Sequence, residues 1–303
     1  SRVRIPPSPP GPNKFYRKFT NMNKLPEAVS KRMRKDLENA YMEIIPVPGI
    51  EEKLGTLQKN MHVAVTCSPT KGVDATLELT EKLIKQGFQV TPHISAKCVK
   101  GEKHLETIIK KLDTLSIKSI FVPGGDGLEP MGEFSNAYDL LKALQKSGHN
   151  IEKIGIAAHP EGHPDINEKI LMEALEKKKD LADFIVTQMC FDATALGDWL
   201  VRINKQGIHL PVWVGLPGAI ERGRLVRTSL RIGVGDSLRF LRKKSQVAAE
   251  LMKSSVYTPE KLVTGISNYK DITDTNLVGY HIFCFNQIEK TEKWRNKMIS
   301  SLK

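Results

Sequence analysis

The 303-residue sequence is poor in cysteine, in aromatic residues and in long apolar runs. Its four cysteines, Cys67, Cys98, Cys190 and Cys284, form no Cys-x-x-Cys pair, which argues against a zinc ribbon, a redox dithiol or a disulfide scaffold. No apolar stretch approaches the ~20 residues that span a bilayer, so no membrane partner is expected. The N-terminus lacks the apolar core of a signal peptide, and a cytoplasmic protein is expected. Aromatics make up 6% of the chain and basic residues are spread over many segments. Nucleic-acid readers cluster charge and supply stacking platforms, so no nucleic-acid partner is expected either. No Gly-x-Gly-x-x-Gly opens a helix after the first strand, which disfavours a dinucleotide-binding open sheet.

The composition is that of an ordinary globular protein, 40% hydrophobic and 26% charged, with a formal net charge of +12. A charge of this sign suits an acidic partner such as a polyanionic small molecule, although solvated lysine-rich helix faces account for it equally. Four prolines precede residue 11, and residues 1–40 read as an extended arm with a short basic helix at 26–39. From residue 41 onward, short apolar runs alternate with amphipathic segments. Candidate strands fall at 41–46, 62–66, 89–94, 118–122, 154–158, 184–187, 211–215 and 279–285. Candidate helices fall at 75–86, 104–115, 137–147, 166–179 and 193–205, with two or three more between 225 and 269. Eight strands alternating with helices predict an α/β fold, a single (β/α)₈ TIM barrel over residues 41–303, with a doubly wound open sheet as the alternative. No separate regulatory domain is expected after the barrel, and a homo-oligomer is compatible with it.

Barrel enzymes keep their chemistry at the C-terminal ends of the strands. Those ends carry Glu43, Thr66, His93, Asp126, His159 with His163, Gln188 and Asn286. Glu43 is a carboxylate in an apolar strand; an apolar pocket raises its pKa and suits it to general acid work, whereas a lysine partner makes it structural. The turn Pro123-Gly124-Gly125-Asp126-Gly127 brings backbone close to a neighbour or ligand, and its amides could hold a phosphate or a ring carbonyl. His159, Glu161 and His163 have metal-capable side chains, but their spacing is not that of the two-histidine metal helix, and no metal is expected. Residues 231–237, Arg-Ile-Gly-Val-Gly-Asp-Ser, read either as an anion-binding helix start or as a simple N-cap at Asp236 or Ser237. The cysteines read as small buried residues.

Two cassettes carry a resemblance: Ala157-Ala-His-Pro-Glu-Gly-His-Pro-Asp165, then Asp183-Phe-Ile-Val-Thr-Gln188 with Phe191-Asp192. Together with Met42-Glu43-Ile-Ile-Pro46, Val65-Thr66, Pro92-His93 and Gly125-Asp126, they resemble the methylenetetrahydrofolate reductase family over residues 41–192. The resemblance implies a (β/α)₈ barrel that binds FAD and reduces 5,10-methylenetetrahydrofolate to 5-methyltetrahydrofolate with NAD(P)H, in one-carbon metabolism on the way to methionine. It implies that Glu43 is the general acid and Asp126 the carboxylate facing pterin and flavin. Gln188 then contacts the folate, and Thr66, His93, Gly125, His163 and Lys177 hold the flavin and its phosphates. Departures from the family pattern also stand out. Gly124 replaces an arginine and His159 a tyrosine in the cofactor set, and Gln287 replaces the arginine that meets the folate carboxylate. They resemble a divergent branch, some of whose members work without tightly bound flavin, so hydride transfer through flavin and directly from NAD(P)H both stay open. Alternatives are a barrel enzyme acting on another folate adduct and a non-catalytic folate- or flavin-binding protein. Lysines 177–179 are further expected to attract the acidic polyglutamate tail of a folate.

Overall fold

The structure is a computed structural model that describes residues 25–59, 61–68, 70–125, 129–163, 165–221, 223–224, 256–270 and 275–302. Strands β1 (Tyr41–Ile44), β2 (His62–Val65), β3 (Gln89–Pro92), β4 (Ser119–Val122), β5 (Lys153–Ala158), β6 (Phe184–Thr187) and β7 (Val212–Pro217) run parallel. A two-stranded antiparallel pair, β8 (Ile220–Glu221) and β9 (Val256–Tyr257), precedes the last parallel strand, β10 (Leu277–Phe283). The hydrogen-bonded order β3-β2-β1-β10-β7-β6-β5-β4 is that of a barrel opened between β3 and β4. A parallel bridge between His93 and Phe121 joins those two edges, with Ile94 N–H donating to the Phe121 carbonyl at 2.8 Å. This is the (β/α)₈ arrangement expected from the alternation of strands and helices.

The helices are α1 (Glu27–Glu38), α2 (Gly72–Lys85), α3 (Glu102–Thr114), α4 (Ala137–Lys146), α5 (Glu168–Lys178), α6 (Ala193–Lys205), α7 (Glu260–Lys270) and α8 (Ile288–Ser301). Local chemistry sets several of their starts. Asn136, Asn167 and Asp192 are N-caps whose side chains accept backbone N–H groups of the first turn. The sequence reading did not foresee α8 or the β8–β9 pair. Helix α8 carries Arg295, fully buried, which is paired with Glu292 and donates to the Leu37 carbonyl at 2.9 Å. That contact satisfies the open carbonyl end of α1 and ties the lead-in helix to the last helix of the barrel. Residues 1–24 and most of the segment expected to hold helices after 225, including the glycine-rich run at 231–237, lie outside the described residues. None of the described helices is long and apolar enough to cross a membrane.

Alternation along the strands separates two layers. Met42, Ile44, Val63, Val65, Ile120, Val122, Ile156, Ile185, Val214 and Ile282 join the main core between strands and helices. The opposite face of the same strands carries Tyr41, Thr91, Phe121, Phe184, Val186, Trp213 and His281, which meet inside the barrel. Rings of this size fit because glycines face them. A Cβ on Gly155 would come within 2.3 Å of the Phe184 ring, and one on Gly279 within 2.4 Å of Trp213. Among the described residues the interior is therefore filled below by aromatics, and a cavity opens at the C-terminal mouth.

Candidate active site

At that mouth lies a cavity of about 1950 Å³ whose wall includes Glu43, Thr66, His93, Gly124, Gly125, His159, His163, Lys177 and Gln188. These residues, from five strand ends, the loop after β4 and helix α5, are brought together at one mouth. Asp126 lies outside the described residues. Gln287 begins α8, its N–H donating to the Cys284 carbonyl at 2.8 Å, and it does not form part of the cavity wall.

Glu43 is the buried carboxylate of the site, its side chain 12% exposed. Its Oε2 lies 2.7 Å from Nε2 of His281, and its Oε1 accepts from the Thr66 hydroxyl at 3.1 Å. Burial pushes the carboxyl up. The hydrogen bond with His281, the charges of His93 and His281, and the Thr66 hydroxyl outweigh it and hold Glu43 below the ordinary carboxylate range. The expectation that Glu43 is raised in an apolar pocket is thus overturned. The strand is apolar toward the helices, but the side that Glu43 faces is polar.

His281 was missed because its neighbours Tyr280 and Ile282 read as plain strand. Its signal was the two-residue period, which places it on the same face as Gly279 and Phe283, the latter a cavity residue. Glu43, His93 and His281 have their potential ligand atoms within 4.8 Å of one another, a spacing a three-ligand metal centre would also show. At 2.7 Å, Glu43 and His281 share a hydrogen bond. His93 is 3% exposed, and its Nε2 has no hydrogen-bond partner among the described residues. Burial, partly opposed by the charge of Glu43, lowers its pKa to about 4, so it is a neutral imidazole with an unused ring nitrogen.

Gly125 has φ +99°, and a Cβ there would come within 2.6 Å of Ser95 Oγ, so only glycine fits. The carbonyls of Pro123 and Gly124 accept from the N–H groups of Ala96 and Lys97 at 3.0 and 3.1 Å, which fixes this edge of the mouth. The two cassettes are joined by Glu161. Its Oε1 accepts the N–H groups of Phe191 and Asp192 at 2.6 and 2.7 Å, so its carboxylate orders the loop after β6. On that loop, Gln188 Oε1 accepts from Met189 N–H at 2.8 Å. His159 and His163 stand edge to face, ring centroids 5.4 Å apart.

Lys177, the expected phosphate ligand, is exposed, whereas its neighbour Lys178 is turned inward. Lys178 Nζ donates to the Ala157 carbonyl at 3.2 Å, lines the cavity, and is lowered to about 8 by burial. Asn286 is not a ligand group. Its side chain accepts from Ile45 N–H at 2.9 Å and donates to the Ile45 carbonyl at 3.0 Å, clamping β10 to β1. The cysteines are free and buried. Cys98, distant in sequence, helps push the Cys67 thiol up, a proximity that sequence spacing could not show.

A (β/α)₈ barrel whose mouth gathers a glutamate, three histidines and a glycine edge defines an enzyme-like ligand site at the usual face of the fold. The family model described as Methylenetetrahydrofolate reductase matches residues 50–219, more than half of the chain, and the chain belongs to the methylenetetrahydrofolate reductase family. Among relatives, it is 33% identical over 89 residues to Methylenetetrahydrofolate reductase 2 of Saccharomyces cerevisiae, covering 28% of this chain and 15% of that one. It is 28% identical over 144 residues to Methylenetetrahydrofolate reductase 1 of Schizosaccharomyces pombe, covering 44% of this chain and 24% of that one. It is 23% identical over 234 residues to Methylenetetrahydrofolate reductase 2 of the same yeast, covering 69% of this chain and 36% of that one. The matched regions are thus little more than a third of those relatives' length at most.

Proposed function

We propose that this protein reduces 5,10-methylenetetrahydrofolate to 5-methyltetrahydrofolate with hydride from NAD(P)H. The observation that carries this reading is the convergence of Glu43, Thr66, His93, Gly125 and Gln188 on one cavity in a member of this family. The cavity, about 1950 Å³, exceeds the ~300–1,000 Å³ of most small-molecule sites and has room for two flat ligands, as a reductase needs.

The residues fit a flavin. His93 has an unpartnered buried nitrogen, Gly125 leaves an edge without side chain, and Lys178 brings a buried cation to the wall. We assign these three, with Thr66, His159 and His163, to holding it. When bound, FAD would relay hydride from the nicotinamide to the folate. Gln188 has its amide oxygen engaged by Met189, which leaves its NH₂ group to meet an acceptor on the folate ring. Glu43 is placed to protonate the nitrogen that leaves when the five-membered ring opens. An iminium carbon then faces the hydride donor.

The test is an anaerobic spectrum of the purified protein with NADH or NADPH and then methylenetetrahydrofolate. A flavin absorbance that bleaches with the nicotinamide and returns with the folate supports transfer through flavin. A colourless protein that oxidises NAD(P)H only with the folate present supports direct transfer. Silence in both overturns the activity. Glu43→Gln is expected to lower kcat by about 10²–10⁴ while folate affinity changes little, and equal activity in that variant removes Glu43 from the mechanism.

A further inference from the structure

We propose that Glu43 and His281 work as one pair holding a single exchangeable proton, with His281 as the positioning residue that aims Glu43 at the cavity and passes it that proton. The inference rests on the proposed reduction and supplies what the resting site lacks, because an ionised Glu43 has no proton to give.

The geometry is specific. His281 Nε2 and Glu43 Oε2 are 2.7 Å apart on adjacent strands, with the His281 side chain 3% exposed. Rings hold the imidazole in place: Tyr41 below it (centroids 6.1 Å), His93 beside it (5.9 Å) and Phe283 above it (5.1 Å). Thr66 fixes the other carboxylate oxygen, and the Cys284 thiol donates to the Glu43 carbonyl at 2.9 Å. The carboxylate is therefore held at two points, by Thr66 just after β2 and by His281 on β10, while the residue after β10 holds the Glu43 backbone.

The other titratable groups facing Glu43 cannot supply the proton near neutral pH. His93 is lowered to about 4 and is already neutral. Cys284 is pushed up to about 12 and Tyr41 is also raised, both chiefly by burial, so both keep their protons. The His281 imidazole, in direct contact at 2.7 Å, is the partner along whose bond a proton can pass. In the pair, imidazolium with carboxylate and imidazole with carboxylic acid differ only by the position of one proton along the 2.7 Å bond. When the folate nitrogen accepts that proton from Glu43, the carbon–nitrogen bond breaks and its electron pair stays on nitrogen. The one-carbon unit becomes an iminium, and the pair is left as neutral imidazole and carboxylate. Hydride from the nicotinamide, directly or through flavin, then completes the methyl group, and the pair takes up one proton from solvent for the next cycle.

Two measurements on the full chain test this. Infrared titration follows the Glu43 carboxyl band, identified by its loss in Glu43→Gln. Because His281 holds the carboxylate ionised, His281→Asn is expected to move its protonation to higher pH. Unchanged titration overturns the pair. Steady-state assays with methylenetetrahydrofolate and NADH or NADPH are expected to show kcat reduced by about 10²-fold in His281→Asn, with KM for the folate within about threefold. Asparagine can still hydrogen-bond the carboxylate but cannot carry the proton, so full kcat in this variant, with an unchanged pH profile, overturns proton delivery. A thermal melt within a few degrees of the parent establishes that the variant is folded, and His281→Gln serves if it is not. A parent protein that shows the infrared coupling but no folate reduction sustains the pair and overturns the proposed reaction instead.

Discussion

At the scale of single residues, the site couples His93 to acid stability. His93 is buried and neutral, with a pKa of about 4. An unfolded chain binds the same proton near the ordinary histidine value of about 6.5, so below that pH the unfolded state holds more protons and gains ground. Stability therefore falls as the pH drops from about 6.5 toward 4. The loss attributable to His93 approaches roughly 3 kcal/mol. Urea unfolding of the parent and His93→Asn across this range is expected to show the parent losing more stability on acidification. Glu43 works in the same direction at lower pH. Its depressed carboxyl contributes fully above the ordinary carboxylate pKa, and that contribution disappears as the pH falls through the folded value. Glu43→Gln is accordingly expected to flatten the acid limb of the stability profile.

At the scale of elements, the loop after β6 depends on a carboxylate, and the strands on glycines that make room for neighbouring rings. Glu161 accepts two backbone N–H groups of the loop after β6. Removing it leaves both amides without that partner, and hydrogen bonds to a charged group contribute about 1.5–3 kcal/mol each. Glu161→Ala is therefore expected to destabilise the fold by about 2–4 kcal/mol in urea titrations and to raise the KM for folate through a displaced Gln188. In the strands, Gly279→Ala drives a methyl into the Trp213 ring. Overpacking of this kind costs about 1–3 kcal/mol. Trp213→Phe in the same chain is expected to recover part of it, and simple additivity in the double variant would deny the contact.

The helices between the strands were legible in the sequence because capping residues and a 3.6-residue period act locally. Asn136 and Asp192, which cap α4 and α6, stand immediately before two segments read as helical. The β8–β9 pair was not legible, since it joins residues 220–221 to 256–257 and each strand is too short for a period.

At the scale of the whole molecule, the net charge of +12 and the exposed Lys177 beside the cavity bear on the acidic tail that the folate of the proposed reaction would carry. Lys178 is turned inward and Lys179 is paired with Glu176 at 2.6 Å, so the tail reading narrows to Lys177. Lys177→Gln is expected to raise KM for a polyglutamylated folate a few-fold at low salt and leave the monoglutamate unchanged. The difference should shrink as salt screens the charge. An equal effect on both folates removes Lys177 from tail binding.

By itself, the sequence determined the alternation of strands and helices, and through it the barrel and the set of residues at the strand ends. Those are properties of neighbours along the chain, carried by periods of two and 3.6 residues. Only the tertiary structure decided how these groups act on one another. It closed the barrel at His93 and Phe121, set His281 against Glu43 across 238 residues, and turned Lys178 inward while leaving Lys177 exposed. It also reversed the direction of the Glu43 pKa. The reason is that burial and charge act through space, and an acid's strength depends on what the fold places within a few ångströms of it.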